Sequence, residues 1–279
     1  MMLLDMLTYR RPAGSQTERE FIRAYVKPTG ATRDPFGNYV LRLGESRVAW
    51  MAHTDTVHRR GGRQRIRVSR GIASLAQPAA WDCLGADDTT GVWLLVEMIQ
   101  ARVPGTYIFH YGEEQGCVGS RAIALDAPET LEGIDFAISL DRRGKDSVVT
   151  HQLGMRTASD AFATSLLDAL AWDAAPDPTG VYTDSESYAG IVPECTNVSV
   201  GYEHQHTPKE CQDLAFAWAL RDRLCAFDEA CLVCEREPRS VEDEDWGMPY
   251  GGKALDAWWR EEEEEEDKDA EDFWKDLTA

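Results

Sequence analysis

The sequence predicts an α/β protein: a three-layer α/β/α sandwich with a mostly parallel central sheet. Two observations carry this. Strand-like apolar runs alternate with helical segments along most of the chain, the pattern of a sheet covered on both faces. Chemically capable polar residues stand just after four of those runs; in open α/β sheets, ligands sit outside the carboxyl ends of the strands.

Element by element, residues 1–27 predict an opening helix with Phe21, Ile22 and Tyr25 on one face. Asp34-Pro35-Phe36-Gly37-Asn38 reads as a turn, followed by strands over 39–43 and 47–52. The basic, glycine-containing, weakly periodic stretch 58–81 predicts a loop with a hairpin. Residues 90–101 predict a buried helix, 107–111 a strand, and 119–125 the start of a helix. "FAISLD" (136–141) is a strand that ends in a carboxylate. Residues 158–172 form an amphipathic helix with Phe162, Leu166 and Leu170 in register. A strand over 196–202 and a helix over 211–233 complete the order. No internal repeat is present.

The 279 residues suit one large domain with a full core. No run approaches the length of a membrane span, so no membrane partner is expected. The opening "MMLLDMLTYRRPAGS" lacks the basic leader and the long apolar stretch of a signal peptide. Seven cysteines, an odd number in a long chain, favour a reduced, cytoplasmic protein. The net charge of −20 argues against nucleic acid as a partner. Much of that charge lies in residues 235–279, which carry 18 acids, 6 bases and four of the nine tryptophans. The domain expectation is therefore 1–234, followed by an acidic, tryptophan-containing tail predicted to be disordered. Such a tail is suited to docking on a protein partner or on the arginine-rich stretch 59–70 of the same chain.

The polar residues at the strand ends are His53 and Asp55, Asp87 and Asp88, Glu113 and Glu114, Asp141, and His204 and His206. Two imidazoles with several carboxylates suit zinc or a similar divalent ion. Two ions sharing one bridging carboxylate use the set better than one. They also explain why Glu113 and Glu114 stand side by side despite their mutual repulsion.

Here the chain resembles the co-catalytic dizinc peptidase clan, nearest the lid-less zinc aminopeptidases. The matching strings are Asp34-x-x-Gly37-Asn38, His53-Thr-Asp55, Gly85-Ala-Asp87-Asp88-x-x-Gly91, Gly112-Glu-Glu-Gln-Gly116-x-x-Gly119-Ser120, Asp141, "TDSESYAGIVP" (183–193) and His206-Thr-Pro-x-Glu210. They stand in the family's order over roughly residues 1–232. The resemblance implies a single catalytic domain without a lid, because only 64 residues separate Asp141 from His206. It implies two zinc ions, with cobalt or manganese as alternatives. His53 and Asp141 would hold one, Glu114 and His206 the other, and Asp87 would bridge. Asp55 would hold His53 by its far ring nitrogen, and Glu113 would be the general base for metal-activated water. The implied activity is hydrolysis of a peptide or amide bond, foremost as an aminopeptidase. A lid-less carboxypeptidase or small-molecule amidase or deacylase is the alternative. A non-catalytic protein acting through its tail is a further one.

Tyr182, Asp184 and Tyr188 fall in a string that lines the substrate pocket of relatives, although Ser185 stands where many have histidine. Arg142 and Arg143 follow Asp141 and would either pair locally or clamp a substrate carboxylate. His204 and His206 share a face if the strand is extended, and the following Thr-Pro-Lys-Glu favours His206. His58, His110 and His151 read as structural. Cys231 and Cys234 read as buried helix cysteines.

Overall fold

The computed structural model describes residues 2–78 and 82–238. Eight strands form the central sheet: β1 (Thr32–Arg33), β2 (Tyr39–Leu43), β3 (Val48–His53), β4 (Gly105–His110), β5 (Phe136–Arg142), β6 (Ser147–Val149), β7 (Ala175–Asp177) and β8 (Glu194–Ser199). Their order across the sheet is β7-β6-β8-β5-β3-β4-β2-β1. The central strands β8, β5, β3 and β4 run parallel, as do β6 and β7. β6 is antiparallel to β8, β2 to β4 and β1 to β2. The sheet is thus mixed, with a parallel centre.

The packing follows from strand alternation. In β3, Val48, Trp50 and Ala52 enter one apolar cluster, while Ala49 and Met51 enter another on the opposite face. β5 does the same with Phe136, Ile138 and Leu140 against Ala137. Successive side chains point to opposite faces, so a strand buried on both needs cover on both. On one face this comes from the helices α2 (Ala86–Gln100), α4 (Asp160–Ala169) and α5 (Leu214–Cys225), through residues such as Val92, Phe162 and Leu220. On the other it comes from α3 (Val118–Asp126), through Ile123. A shorter helix, α1 (Gln16–Phe21), precedes the sheet. Ser15, Ser159 and Asp213 cap α1, α4 and α5 by accepting backbone amides from Glu18, Phe162 and Phe216.

Two elements differ from expectation. The opening helix is broken: Met2–Met6 and α1 are separated by Tyr9–Arg10, which pairs with Gly62–Arg63. Pro12 has no amide to continue a helix, and Gly14 sits at φ 71°. The last helix starts at Leu214, because Cys211–Asp213 pairs with Ile72–Leu75 in a small antiparallel sheet. It stops at Cys225, which leaves Cys231 and Cys234 exposed rather than buried in a helix.

The segment after Cys234 is anchored at its start. The backbone amides of Glu235 and Arg236 donate to Glu194 Oε1 at 2.8 and 2.9 Å, and the Arg236 guanidinium donates to the carbonyls of Ala189 and Val192. Glu235 and Arg236, expected to open a disordered tail, are therefore tied to the domain. The rest of that tail lies outside the described residues. Among the described residues, no helix is long and apolar enough to cross a membrane.

Candidate metal centre

β3 ends at His53, whose ring is almost fully buried. Two residues on, buried Asp55 lies with its carboxylate 3.3 Å from His53 Nδ1. The same carboxylate accepts the backbone amides of Glu113 and Glu114 at 3.2 and 3.3 Å. Asp55 thereby ties the end of β3 to the turn after β4. That turn, Glu113–Gln115, is framed by Gly112 and Gly116 at φ 67° and 96°, a backbone that glycine adopts without a Cβ clash.

Asp87 and Asp88 open α2 with non-helical backbone and a cis peptide bond between them. Asp87 Oδ1 is 3.1 Å from His53 Nε2, and its Oδ2 is 3.2 Å from His206 Nε2. Asp88 turns the other way and accepts the amides of His53 and Gly91. Gly91 must be glycine, because a Cβ there would collide with the Leu140 carbonyl and the Asp88 carboxylate. Likewise a Cβ on Gly119 would collide with Asn38 Oδ1, so the Asp34–Asn38 turn latches the start of α3.

Asp141, on β5, lies 3.6 Å from His53 Nε2 and accepts hydrogen bonds from Thr183 and Tyr202 at 2.9 and 3.2 Å. Glu114 Oε1 is 3.0 Å from His206 Nε2, and Glu113 Oε2 is 3.9 Å from His53 Nε2. His204 and His206 are not on an extended strand: both sit in the left-handed region, at φ 59° and 61°. Only His206 reaches Asp87 and Glu114.

Donor atoms of His53, Asp87 and Asp141 lie within 4.8 Å of one another, as do those of Asp87, Glu114 and His206. The two sets share Asp87. A third set joins His53 with Glu113 and Glu114. The electrostatics of the cluster follows from burying several acids beside two histidines. Burial pushes Asp141 up to about 7, with Asp87 adding to the rise. Burial also lifts Glu114, and it lifts Glu113 well above the usual carboxylate range against the pull of His53. His206 rises to about 11 through its hydrogen bonds to Asp87 and Glu114. Asp87 alone among these acids is depressed: burial would raise it, but the two histidines more than offset that. The carboxylates thus gain from positive charge in their midst, and the mixed nitrogen and oxygen donors fit zinc or a similar dication.

Several residues that support the site carry no expectation from sequence. Buried Glu210 accepts the amides of Gly85 and Asp87 at 2.9 and 3.1 Å, setting the backbone that carries Asp87. Its only signal was its place at the end of the His206-Thr-Pro-x-Glu string. Fully buried Arg11 donates to the Thr54 carbonyl at 2.7 Å and to Thr89 Oγ1 at 2.8 Å, and buried Glu18 accepts from Thr54 Oγ1 at 2.7 Å. Both brace the 54–56 turn around Asp55 from behind. Nothing in the local sequence marks them.

The residues expected to contact substrate sit in different surroundings. Tyr188 is fully buried, with its hydroxyl 2.7 Å from His110 Nε2, and Asp184 is buried with its carboxylate 3.2 Å from His110 Nδ1. Packing against His110 takes both into the interior. Arg142 pairs with Asp177 at 3.0 Å and with Thr179. Tyr182 is half-buried, 3.4 Å from Ser187 Oγ. Arg143, in contrast, lines an open cavity of about 630 Å³ together with His204, His206 and Lys209.

No protein-family model and no curated protein sequence matches the chain. Solved structures do. Aminopeptidase PepT from Bacillus cereus superposes with a TM-score of 0.66 at 14% identity, over 81% of this chain and 95% of that one. A tripeptidase from Staphylococcus aureus gives 0.65 at 13%, over 80% and 95%. The TET1 peptidase of Pyrococcus horikoshii, which can assemble into a tetrahedron or a large octahedral shell, gives 0.56 at 17%, over 81% and 98%. The chain therefore shares the α/β fold of these peptidases.

Proposed function

We propose that this chain is a two-zinc hydrolase of peptide bonds, acting as an aminopeptidase. The observation that carries the reading is the position of Asp87, one carboxylate shared between a His53–Asp141 set and a Glu114–His206 set, with Glu113 alongside. His53 and Asp141 would hold one ion, Glu114 and His206 the other, and Asp87 both; cobalt and manganese suit the same donors. Bound there, the two cations supply Lewis-acid polarisation of the scissile carbonyl and acidification of water.

The chain's own residues do the rest. Asp55 orients His53 through Nδ1 and fixes the backbone on which Glu113 and Glu114 stand. The Glu113 carboxylate takes the proton of the attacking water and returns it to the nitrogen of the departing amine. The likeness in fold to solved aminopeptidases supports the peptide substrate and the preference for a free amino end. Seven unpaired cysteines support a reducing, cytoplasmic setting.

The test is hydrolysis of a matched pair of short peptides, one with a free amino terminus and one N-acetylated, by zinc-loaded protein. Cleavage of the free-amine peptide alone is expected. Equal cleavage of both would replace the aminopeptidase reading with an amidase or carboxypeptidase, and cleavage of neither would remove hydrolysis altogether.

A further inference from the structure

The domain is acidic, and most of its chemistry near the candidate centre is carboxylate. One wall beside that centre is the opposite. The cavity next to His206 is lined by Arg143, His204 and Lys209. Arg143 lies two residues beyond Asp141, and Lys209 three beyond His206. Both side chains are exposed.

Arg142 is held by Asp177, Lys145 by Asp213, Arg156 by Asp160 and Arg221 by Asp222. Among the described residues, no side-chain hydrogen bond or ion pair occupies Arg143 or Lys209. These two cations instead line the wall that adjoins a candidate metal ligand, His206. A planar guanidinium and an ammonium on one wall are suited to receive a carboxylate, with the arginine offering paired donors.

We propose that Arg143 and Lys209, with His204, form a subsite for a carboxylate of the substrate. The favoured substrates are peptides that carry this group close to the bond being cut. The carboxylate is either the terminal one of a short peptide or an acidic side chain. The inference rests on the peptidase reading above for the identity of the ligand, and on the cavity wall for its charge. Arg142, taken up by Asp177, has no part in it.

Binding is the primary readout, measured by calorimetry with zinc-loaded Glu113→Gln protein, which retains every residue of the subsite. Two ligand pairs separate the sources of the carboxylate. Ala-Ala-Ala against its C-terminal amide tests the terminal group, and Glu-Ala-Ala-amide against Gln-Ala-Ala-amide tests the side chain. In at least one pair the charged member should bind about tenfold more tightly. That ratio should fall close to one when Arg143→Gln and Lys209→Gln are combined, stay high in Arg143→Lys, and invert in Arg143→Glu. Equal binding within both pairs overturns the proposal, as does a ratio that survives the double substitution. Failure of the peptidase reading shows separately, as zinc-loaded wild-type protein that leaves all four peptides intact; the ratios in the Glu113→Gln protein still decide the subsite.

Discussion

The carboxylate of Glu210 accepts the backbone amide of Asp87 at 3.1 Å. Because Glu210 is buried, its charge is costly there, and burial pushes it up to about 7. It stays in place through two backbone donors, Gly85 and Asp87. Replacing it by alanine would leave those amides unpaired and free the turn that aims Asp87 at both histidines. Glu210→Ala is expected to weaken zinc binding about 10–100-fold, measured by competition with a chromogenic chelator. Glu210→Gln, which keeps one acceptor oxygen, should lose less.

Glu113 offers a cleaner separation. Glu113→Gln preserves shape and removes the proton acceptor. Turnover is expected to fall by about 10²-fold or more, while metal content measured by atomic absorption stays at the wild-type value. Equal loss of metal and turnover would make Glu113 a ligand instead of a base.

Arg11 braces the 54–56 turn that carries Asp55. Its guanidinium is fully buried, lies over the Phe21 ring at 3.9 Å and donates to Thr54 and Thr89. Arg11→Met would strand the Thr54 carbonyl and leave Glu18 without its compensating cation. A loss of about 3 kcal/mol in unfolding free energy is expected, seen as a lower urea midpoint with unchanged slope.

Glu18 predicts a pH dependence. Burial raises it from 4.5 to about 7. The folded state therefore holds a proton that the unfolded chain has already released, and stability falls as pH rises from roughly 4.5 to 7. Glu18→Gln should flatten that fall by on the order of 2 kcal/mol, read from denaturation curves at pH 4.5, 6 and 8. An unchanged profile would place the titration elsewhere.

Metal removal should be felt in stability too. Asp141, Glu113 and Glu114 are all raised by burial, so each gains from a cation that binds only the folded chain. Adding zinc to chelator-treated protein is expected to raise the melting temperature in a concentration-dependent way, measured by calorimetry. A melting temperature indifferent to zinc would argue against the site.

Much of the fold was legible because its signals are local. Strand-like apolar runs announce β3, β4 and β5. The breaks at Tyr9–Arg10 and Cys211–Asp213 were not legible, since each is extended only because a distant segment, Gly62–Arg63 or Ile72–Leu75, pairs with it. Glu210, Arg11 and Glu18 escaped for the same reason: their partners lie 123, 43 and 36 residues away in the chain.

By itself the sequence determined the donor inventory, the ordered motifs and the alternation that demands a covered parallel sheet, because residue type and periodicity are written in neighbouring positions. Only the tertiary structure decided that Asp87 faces both histidines while Asp88 turns to backbone amides, that Tyr188 and Asp184 withdraw onto His110, and that Arg143 faces an open cavity while Arg142 is paired. Each of those choices is made by a partner brought in by the fold, where burial and hydrogen bonding select among side chains that look alike in one dimension.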